Sequence, residues 1–326
     1  MTFLPHRIII DCDPGHDDMA AILLAASNPA IKIEAITTVC GNASVDNTTN
    51  NALRIVEAFG LDVPVYRGAL QPLLHRYEFP AAFHGPSGLD SAGKELPAAT
   101  RTAEAPHAVE AIIRLVEENP GEITLVVIGP MTNVALVLAL RPDLARSIRQ
   151  IVFMGGSAGE GNVTPAAEFN IWADAEAARM VFRAGVPLTM FGLNVTHQTL
   201  LRRQDVAAVR TAHAGENAVA DILDFYCGTY YRFAGADKPG APLHDPCCIA
   251  WLIDPSLFVI EPRPGEVIVS NDEAYGQTLI DLRPQDPAHD TRIKNVGVAV
   301  KADAERFATL VTQAMIWAAG RISSRT

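Results

Sequence analysis

The sequence predicts an α/β protein built on one open, doubly wound, mostly parallel sheet. Three observations carry that expectation. Short runs rich in Ile and Val, apolar at nearly every position, alternate with segments of helical period through residues 7–192. Strands that are apolar on both faces need cover on both faces, which a parallel sheet between two helix layers supplies. The composition, 49% hydrophobic and 19% charged over 326 residues, fits a well-buried core. No repeat, charged linker or shift in composition divides the chain, so residues 1–326 are expected to form a single domain.

In order, "RIIIDCD" reads as the first buried strand and "DDMAAILLAAS" as the first helix. "IKIEAITTVC" and "VDNTTNNALRIVEAFG" repeat the unit, followed by a short "VPVY" strand. Further units are a helix over 107–119, the strand "EITLVVI", a helix over 131–140, the strand "IRQIVFM", a helix over 174–184 and the strand "VPLTMFG". The tail, about 257–300, reads as short strands before a last helix, "DAERFATLVTQAMIWAAG". Two stretches break the alternation: 66–106, with Pro72, Pro80, Pro86 and Pro97, and 234–243, "AGADKPGAPL". Long irregular segments inside compact domains are often binding loops, so active-site loops are expected near 66–106 and 227–245. Ligands of doubly wound sheets bind beyond the carboxyl ends of the strands.

A net charge of −11 argues against nucleic-acid or anionic-membrane partners, which need clustered Lys and Arg. Five cysteines lack framework or zinc spacing, and no apolar run approaches membrane-spanning length. "MTFLPHRIII" leads straight into the first strand without a signal-peptide pattern, so a reduced, cytoplasmic location is expected.

The chemistry concentrates in "IIIDCDPGHDD", where Asp11, Asp13, Asp17 and Asp18 crowd the end of a buried strand. Helix capping and the helix dipole account for one or two of these carboxylates. All four together would raise one another's pKa unless a cation sits among them, and an oxygen-only donor set suits a hard cation. In "LHDPCCIAWLID", Asp245-Pro246 opens another helix; Asp245 is either its N-cap or a further ligand, with His244 beside it. "GNVTPAAEFNIWAD" places Asn162, Glu168 and Asn170 after a glycine-rich turn, and "CGN" places Asn42 just after the second strand. Amides and carboxylates together suit a polyhydroxylated ligand, although an ordinary solvated loop and turn would look similar.

In this order and at these intervals, "DCDPGHDD", "ITTVCGN", "GPMTNVA", "MGGS", "GNVTPAAEFNIWAD" and "LHDP" resemble the inosine/uridine nucleoside hydrolase family across nearly the whole chain. The resemblance implies hydrolysis of the N-glycosidic bond of ribonucleosides to ribose and free base, using one calcium ion and a water activated by an aspartate. It implies Asp13, Asp18, Asp245 and the backbone carbonyl of Ile128 as calcium ligands, with Asp13 also the general base. Asp17, Asn42, Asn162, Glu168 and Asn170 match ribose ligands, and Met154 matches the apolar wall under the sugar. His244 and His84 resemble histidines near the leaving base. From "FYCGTYYRF", Tyr230 is the aromatic expected to stack on the base or protonate it, although aromatics at helical spacing usually pack in the core. Asp11 is expected to be a structural partner, and His16 occupies a slot more often apolar in the family. A ribonucleoside substrate, a homodimer or homotetramer and a role in purine and pyrimidine salvage complete the expectation, with a broad inosine/uridine or pyrimidine preference. Two other classes remain: a haloacid dehalogenase-type phosphatase, which also ends its first strand in DxD, and a non-catalytic calcium-dependent sugar-binding protein.

Overall fold

The computed structural model describes residues 4–75, 81–213, 217–270, 272–284 and 291–323. Its strands are β1 (His6–Cys12), β2 (Ile31–Thr38), β3 (Val65–Arg67), β4 (Ile123–Val127), β5 (Gln150–Met154), β6 (Leu188–Phe191), β7 (Leu200–Leu201), β8 (Ala241–Pro242), β9 (Phe258–Arg263), β10 (Gly265–Val267), β11 (Thr278–Ile280) and β12 (Val296–Ala302). The helices are α1 (His16–Ser27), α2 (Val45–Ala58), α3 (Ala81–His84), α4 (Ala108–Glu118), α5 (Thr132–Leu140), α6 (Phe169–Ala173), α7 (Ala175–Arg183), α8 (Leu193–Thr196), α9 (Arg203–Ala212), α10 (Ala218–Ala234), α11 (Pro246–Ile253) and α12 (Ala304–Ser323). Among the described residues no helix is long and apolar enough to cross a membrane.

Eight strands form one sheet in the order β3-β2-β1-β4-β5-β6-β12-β9. All neighbours pair in parallel except β12 and β9. The sheet is mixed α/β and doubly wound, as the apolar runs predict. The period-two geometry of β1 shows why those runs are apolar throughout: Ile8, Ile10 and Cys12 enter the core under α1, α2, α10, α11 and α12, whereas Ile9 enters the core under α4, α5 and α7. Each such Ile, fully withdrawn from water, stabilises the fold by about 1.5–3 kcal/mol.

The helix read over 174–184 forms as α7, with Asp174 as its N-cap: the carboxylate accepts from the Ala177 N–H at 3.1 Å. The same carboxylate accepts from Leu73 N–H at 2.9 Å and the Thr132 hydroxyl at 2.7 Å. Burial with three donors therefore makes Asp174 a structural clamp between a loop and two helices. The antiparallel β12–β9 edge and the β10–β11 hairpin come from the strand-rich tail.

The chain reverses direction across the sheet at β1, with β2 on one side and β4 on the other. That is the topological switch point of a doubly wound sheet, and the crevice beyond the carboxyl ends of β1 and β4 is its natural ligand site.

Candidate active site

Asp13 follows β1 directly, and Asp17 and Asp18 stand in the first turn of α1. Asp245 arrives from the opposite end of the chain at the start of α11. All four are buried, with Asp13 and Asp245 no more than 3% exposed. Carboxylate oxygens of Asp17, Asp18 and Asp245 lie within 4.8 Å of one another. Asp18 is partly a capping residue: it reaches back to the Gly15 N–H at 2.9 Å and also accepts from the Asp13 N–H at 3.2 Å. Asp245 is not one, because its side chain makes no cap hydrogen bond to α11. It contacts the Asp18 carboxylate instead. The backbone of His244 and Asp245 lies close enough to the Asp17 carboxylate to favour its ionised form, so the first turn of α1 meets the start of α11 here.

Asp13 sits beside this trio. Asn42 N–H donates to its Oδ2 at 2.6 Å, and Asn42 Nδ2 donates to its backbone oxygen at 3.2 Å. Its other oxygen, Oδ1, is buried and has no hydrogen-bond partner. Glycine is required on both sides of this carboxylate: a Cβ at Gly41 would lie 1.7 Å from Oδ2, and one at Gly129 would lie 2.5 Å from Oδ1. The glycines of "CGN" and "IGP" therefore let two loops close around one acid.

Burial raises the pKa of every member of the cluster, because it disfavours the ionised form, and neighbouring carboxylates add repulsion at Asp13, Asp17 and Asp245. Asp17 is pushed up to about 7 and Asp18 to about 6. Among the described residues neither Lys nor Arg lines the cavity above them. Oxygen donors without a cationic side chain, one of them orphaned, are the donor set of a hard metal cation.

The cavity encloses about 790 Å³ of empty space, part of it open to solvent at the mouth, and lies over this cluster. Asp17, Asn42 and Asp245 line its acidic end, and Ile128 and Met154 line its floor. Asn162, Glu168 and Asn170 line one wall, while His84 and His244 come from the two irregular segments. Asp13 and Asp18 lie beneath the lining. Glu168 spends both oxygens on backbone N–H groups, those of Asn170, Gly156 and Ile171, as the N-cap of α6; burial pushes its carboxyl up to about 7. Asn170 donates to the Ile128 oxygen at 3.1 Å and the Met154 oxygen at 3.2 Å. Asn162 Oδ1 accepts from Phe169 N–H at 2.9 Å. His244 Nδ1 lies 2.8 Å from the Thr196 hydroxyl, and burial lowers the pKa of this histidine to about 3.

Tyr230 does not line the cavity. It packs half-buried against the core with Tyr231, whereas Tyr226, one turn earlier on the same face of α10, reaches the cavity and donates its hydroxyl to the Pro242 oxygen. One helical turn is about 5.4 Å, enough to carry Tyr230 beyond the rim. Phe83, Val163 and Phe169 also line the cavity and were not read from the sequence. Phe83 adjoins His84, and Phe169 stands between Glu168 and Asn170, so proximity to a polar motif was their available signal. His197 lies 5.8 Å, ring to ring, from His244.

Comparison with known proteins agrees with this arrangement. The family model described as inosine-uridine preferring nucleoside hydrolase matches residues 8–309. The pyrimidine-specific ribonucleoside hydrolase RihA of Shewanella woodyi is 47% identical over 279 residues, covering 84% of this chain and 88% of that protein. The pyrimidine-specific ribonucleoside hydrolase RihB of Escherichia coli is 43% identical over 277 residues, covering 84% and 87% respectively. Among solved structures, a purine-preferring ribonucleoside hydrolase from Gardnerella vaginalis superposes with a TM-score of 0.86 at 34% identity, covering 98% of this chain and 99% of that one. A match over so much of the sequence, with the acidic cluster and the cavity in one place, has one conclusion: the chain belongs to the inosine-uridine preferring nucleoside hydrolase family and is a hydrolase of ribonucleosides.

Proposed function

We propose that the chain prefers pyrimidine ribonucleosides and that calcium is the cation of its acidic cluster. The observation that carries the metal reading is the orphaned, buried Oδ1 of Asp13 beside three converging carboxylates, with neither Lys nor Arg among the described residues of the cavity lining. Asp13, Asp18 and Asp245 would hold the ion together with the Ile128 carbonyl, whose oxygen keeps a second lone pair beside its bond from Asn170. When bound, the cation offsets the repulsion within the cluster and acidifies water in its shell.

The remaining roles belong to the chain. Asp13 Oδ1, with Oδ2 anchored by Asn42, accepts a proton from the attacking water as the water oxygen bonds to the anomeric carbon. The glycosidic bond breaks, and its electron pair leaves with the base nitrogen. Asp17, Asn42, Asn162, Glu168 and Asn170 hold the ribose, and Met154 supports its underside. The clustered carboxylates favour the positive charge that develops on the sugar. His84, at the end of α3, and His244, between β8 and α11, face the departing base. Burial keeps His244 neutral, so with Thr196 donating to Nδ1 its Nε2–H is available to the leaving nitrogen.

The pyrimidine preference is supported by relatives with 43–47% identity that are named pyrimidine-specific, against 34% for the purine-preferring structure. The family resemblance further supports a cytoplasmic homodimer or homotetramer acting in nucleoside salvage as one domain. Free-ribose release from uridine, cytidine and inosine, with calcium and with a chelator, tests the proposal. Calcium-dependent release with the pyrimidines fastest is expected. Inosine as the fastest substrate overturns the preference, and full activity in chelator overturns the metal.

A further inference from the structure

His16 was expected only to fill a slot usually apolar, yet it is fully buried and both of its ring nitrogens are engaged. Nε2 lies 2.9 Å from the backbone oxygen of Asp90, and Nδ1 lies 3.0 Å from Nδ1 of His84. A carbonyl oxygen can only accept, so His16 Nε2 carries the hydrogen. A neutral imidazole protonated at Nε2 has a bare Nδ1, and the short contact then requires His84 Nδ1–H to be the donor. A neutral His84 with its hydrogen on Nδ1 has a bare Nε2. The Asp90 carboxylate attracts a charge on His16, but the ring is fully buried, stacks on Phe225 at 5.2 Å and 3°, and has only a carbonyl and a ring nitrogen as direct polar contacts, so desolvation keeps it neutral.

The surroundings hold this chain of bonds in place. Asp90 N–H donates to the His84 oxygen at 3.3 Å, closing the 84–90 loop on itself. Gly85 and Gly88 turn that loop with φ of 78° and 82°, which other residues rarely adopt. Asn51 Nδ2 donates to the Pro14 oxygen at 3.0 Å and the Ser87 oxygen at 2.9 Å, pinning the loop to the turn that starts α1. His84 lines the cavity beside Phe83 and Tyr226, with ring centroids 5.1 and 6.4 Å away, an aromatic end suited to a planar base.

We propose that His16 is a positioning residue that fixes the tautomer of His84, so that the cavity presents a bare ring nitrogen which accepts a hydrogen bond from an N–H donor on the base. His84 then recognises the leaving group and does not protonate it; the leaving nitrogen takes its proton from solvent, with neutral His244 donating a hydrogen bond. A pyrimidine offers such a donor in the imide N–H of uracil or the amine of cytosine. The tautomer follows from the hydrogen-bond geometry of two neutral rings, and only the identity of the donor rests on the nucleoside reading.

Ring ¹⁵N–¹H NMR of the histidine-labelled, ligand-free protein tests the first half. The wild type is expected to show His84 with its hydrogen on Nδ1. His16→Phe keeps a ring on Phe225 but removes the acceptor, and is expected to move the His84 hydrogen to Nε2. His16→Asn places an amide oxygen near the former Nδ1 and is expected to restore the wild-type pattern, whereas His16→Gln is not. A His84 spectrum unchanged by His16→Phe, or a wild-type hydrogen on Nε2, overturns the assignment. The second half is read from kcat/KM: His16→Phe is expected to lose about tenfold on uridine, the worth of one hydrogen bond. It is expected to lose little on 4-nitrophenyl riboside, whose leaving group has no N–H. Equal losses on both substrates make His16 merely structural. Absence of ribose release by the wild type would instead overturn the nucleoside reading, and the ring spectra would still decide the tautomer.

Discussion

Replacing Asp11 with Asn should make the protein's stability less dependent on pH, in a direction that can be derived. Asp11 lies on β1 two residues before Asp13 and is fully buried. Its Oδ1 accepts from the Thr37 hydroxyl at 2.6 Å and from Asn133 Nδ2 at 2.8 Å, while Oδ2 is buried without a partner. Burial outweighs both hydrogen bonds and pushes the carboxyl from its ordinary 3.8 up to about 6. Between those values the folded chain keeps a proton that the unfolded chain has lost, so stability falls as pH rises and the full penalty is present above about pH 6. At about 1.4 kcal/mol per pH unit, the span from 3.8 to about 6 is worth about 3 kcal/mol. Asn keeps the Oδ1 acceptor and cannot ionise. Its Nδ2 takes the place of an oxygen with no partner, which costs about 1–3 kcal/mol at every pH. The stability difference between variant and wild type should therefore move by about 3 kcal/mol in favour of Asp11→Asn between about pH 3 and about pH 7.5. Urea unfolding in chelator, followed by tryptophan fluorescence, measures it at each pH with unchanged slope. A difference constant with pH, or one moving against the variant, would refute the argument.

Three further outcomes follow from the site. Asp13→Asn should lower kcat by about 10²-fold or more while leaving the circular dichroism spectrum intact; appreciable hydrolysis would remove Asp13 as the proton acceptor. The 2′-deoxy analogue of uridine should be cleaved about 10²-fold less efficiently than uridine, because a buried Asp17 is left without its hydroxyl partner, and similar kcat/KM values would displace Asp17 from the sugar. His244→Ala should slow uridine cleavage far more than cleavage of 4-nitrophenyl riboside, whose leaving group needs no assistance. Parallel losses would exclude His244 from leaving-group chemistry.

Much of this protein is legible along the chain because the information is local. Period and composition define the strand and helix order, since a strand buried on both faces has few alternatives to Ile and Val. The motif "DCDPGHDD" exposes its own electrostatic problem without coordinates, since four acids within eight residues call for a cation. The order of the later motifs points to the family and to most of the residues that line the cavity.

Tertiary structure decided what depends on direction and on distant partners. Only the fold shows that Asp245 caps nothing and that its carboxylate instead meets Asp18. The turn of α10 that reaches the cavity, which makes Tyr226 and not Tyr230 the lining residue, depends on where the helix docks. Asp11 looks in sequence like a further member of the acidic motif, yet its donors come from residues 26 and 122 positions away, and Asp174, besides capping α7, is held by donors 42 and 101 positions away; both are fixed inside the scaffold. His16 is the sharpest case. Its identity is plain in the sequence, but the proton order it imposes exists only because Asp90 and His84 close on it from a loop some seventy residues along the chain. Sequence determines which groups are present. Hydrogen-bond direction and desolvation are properties of neighbours, and the neighbours are chosen by the fold.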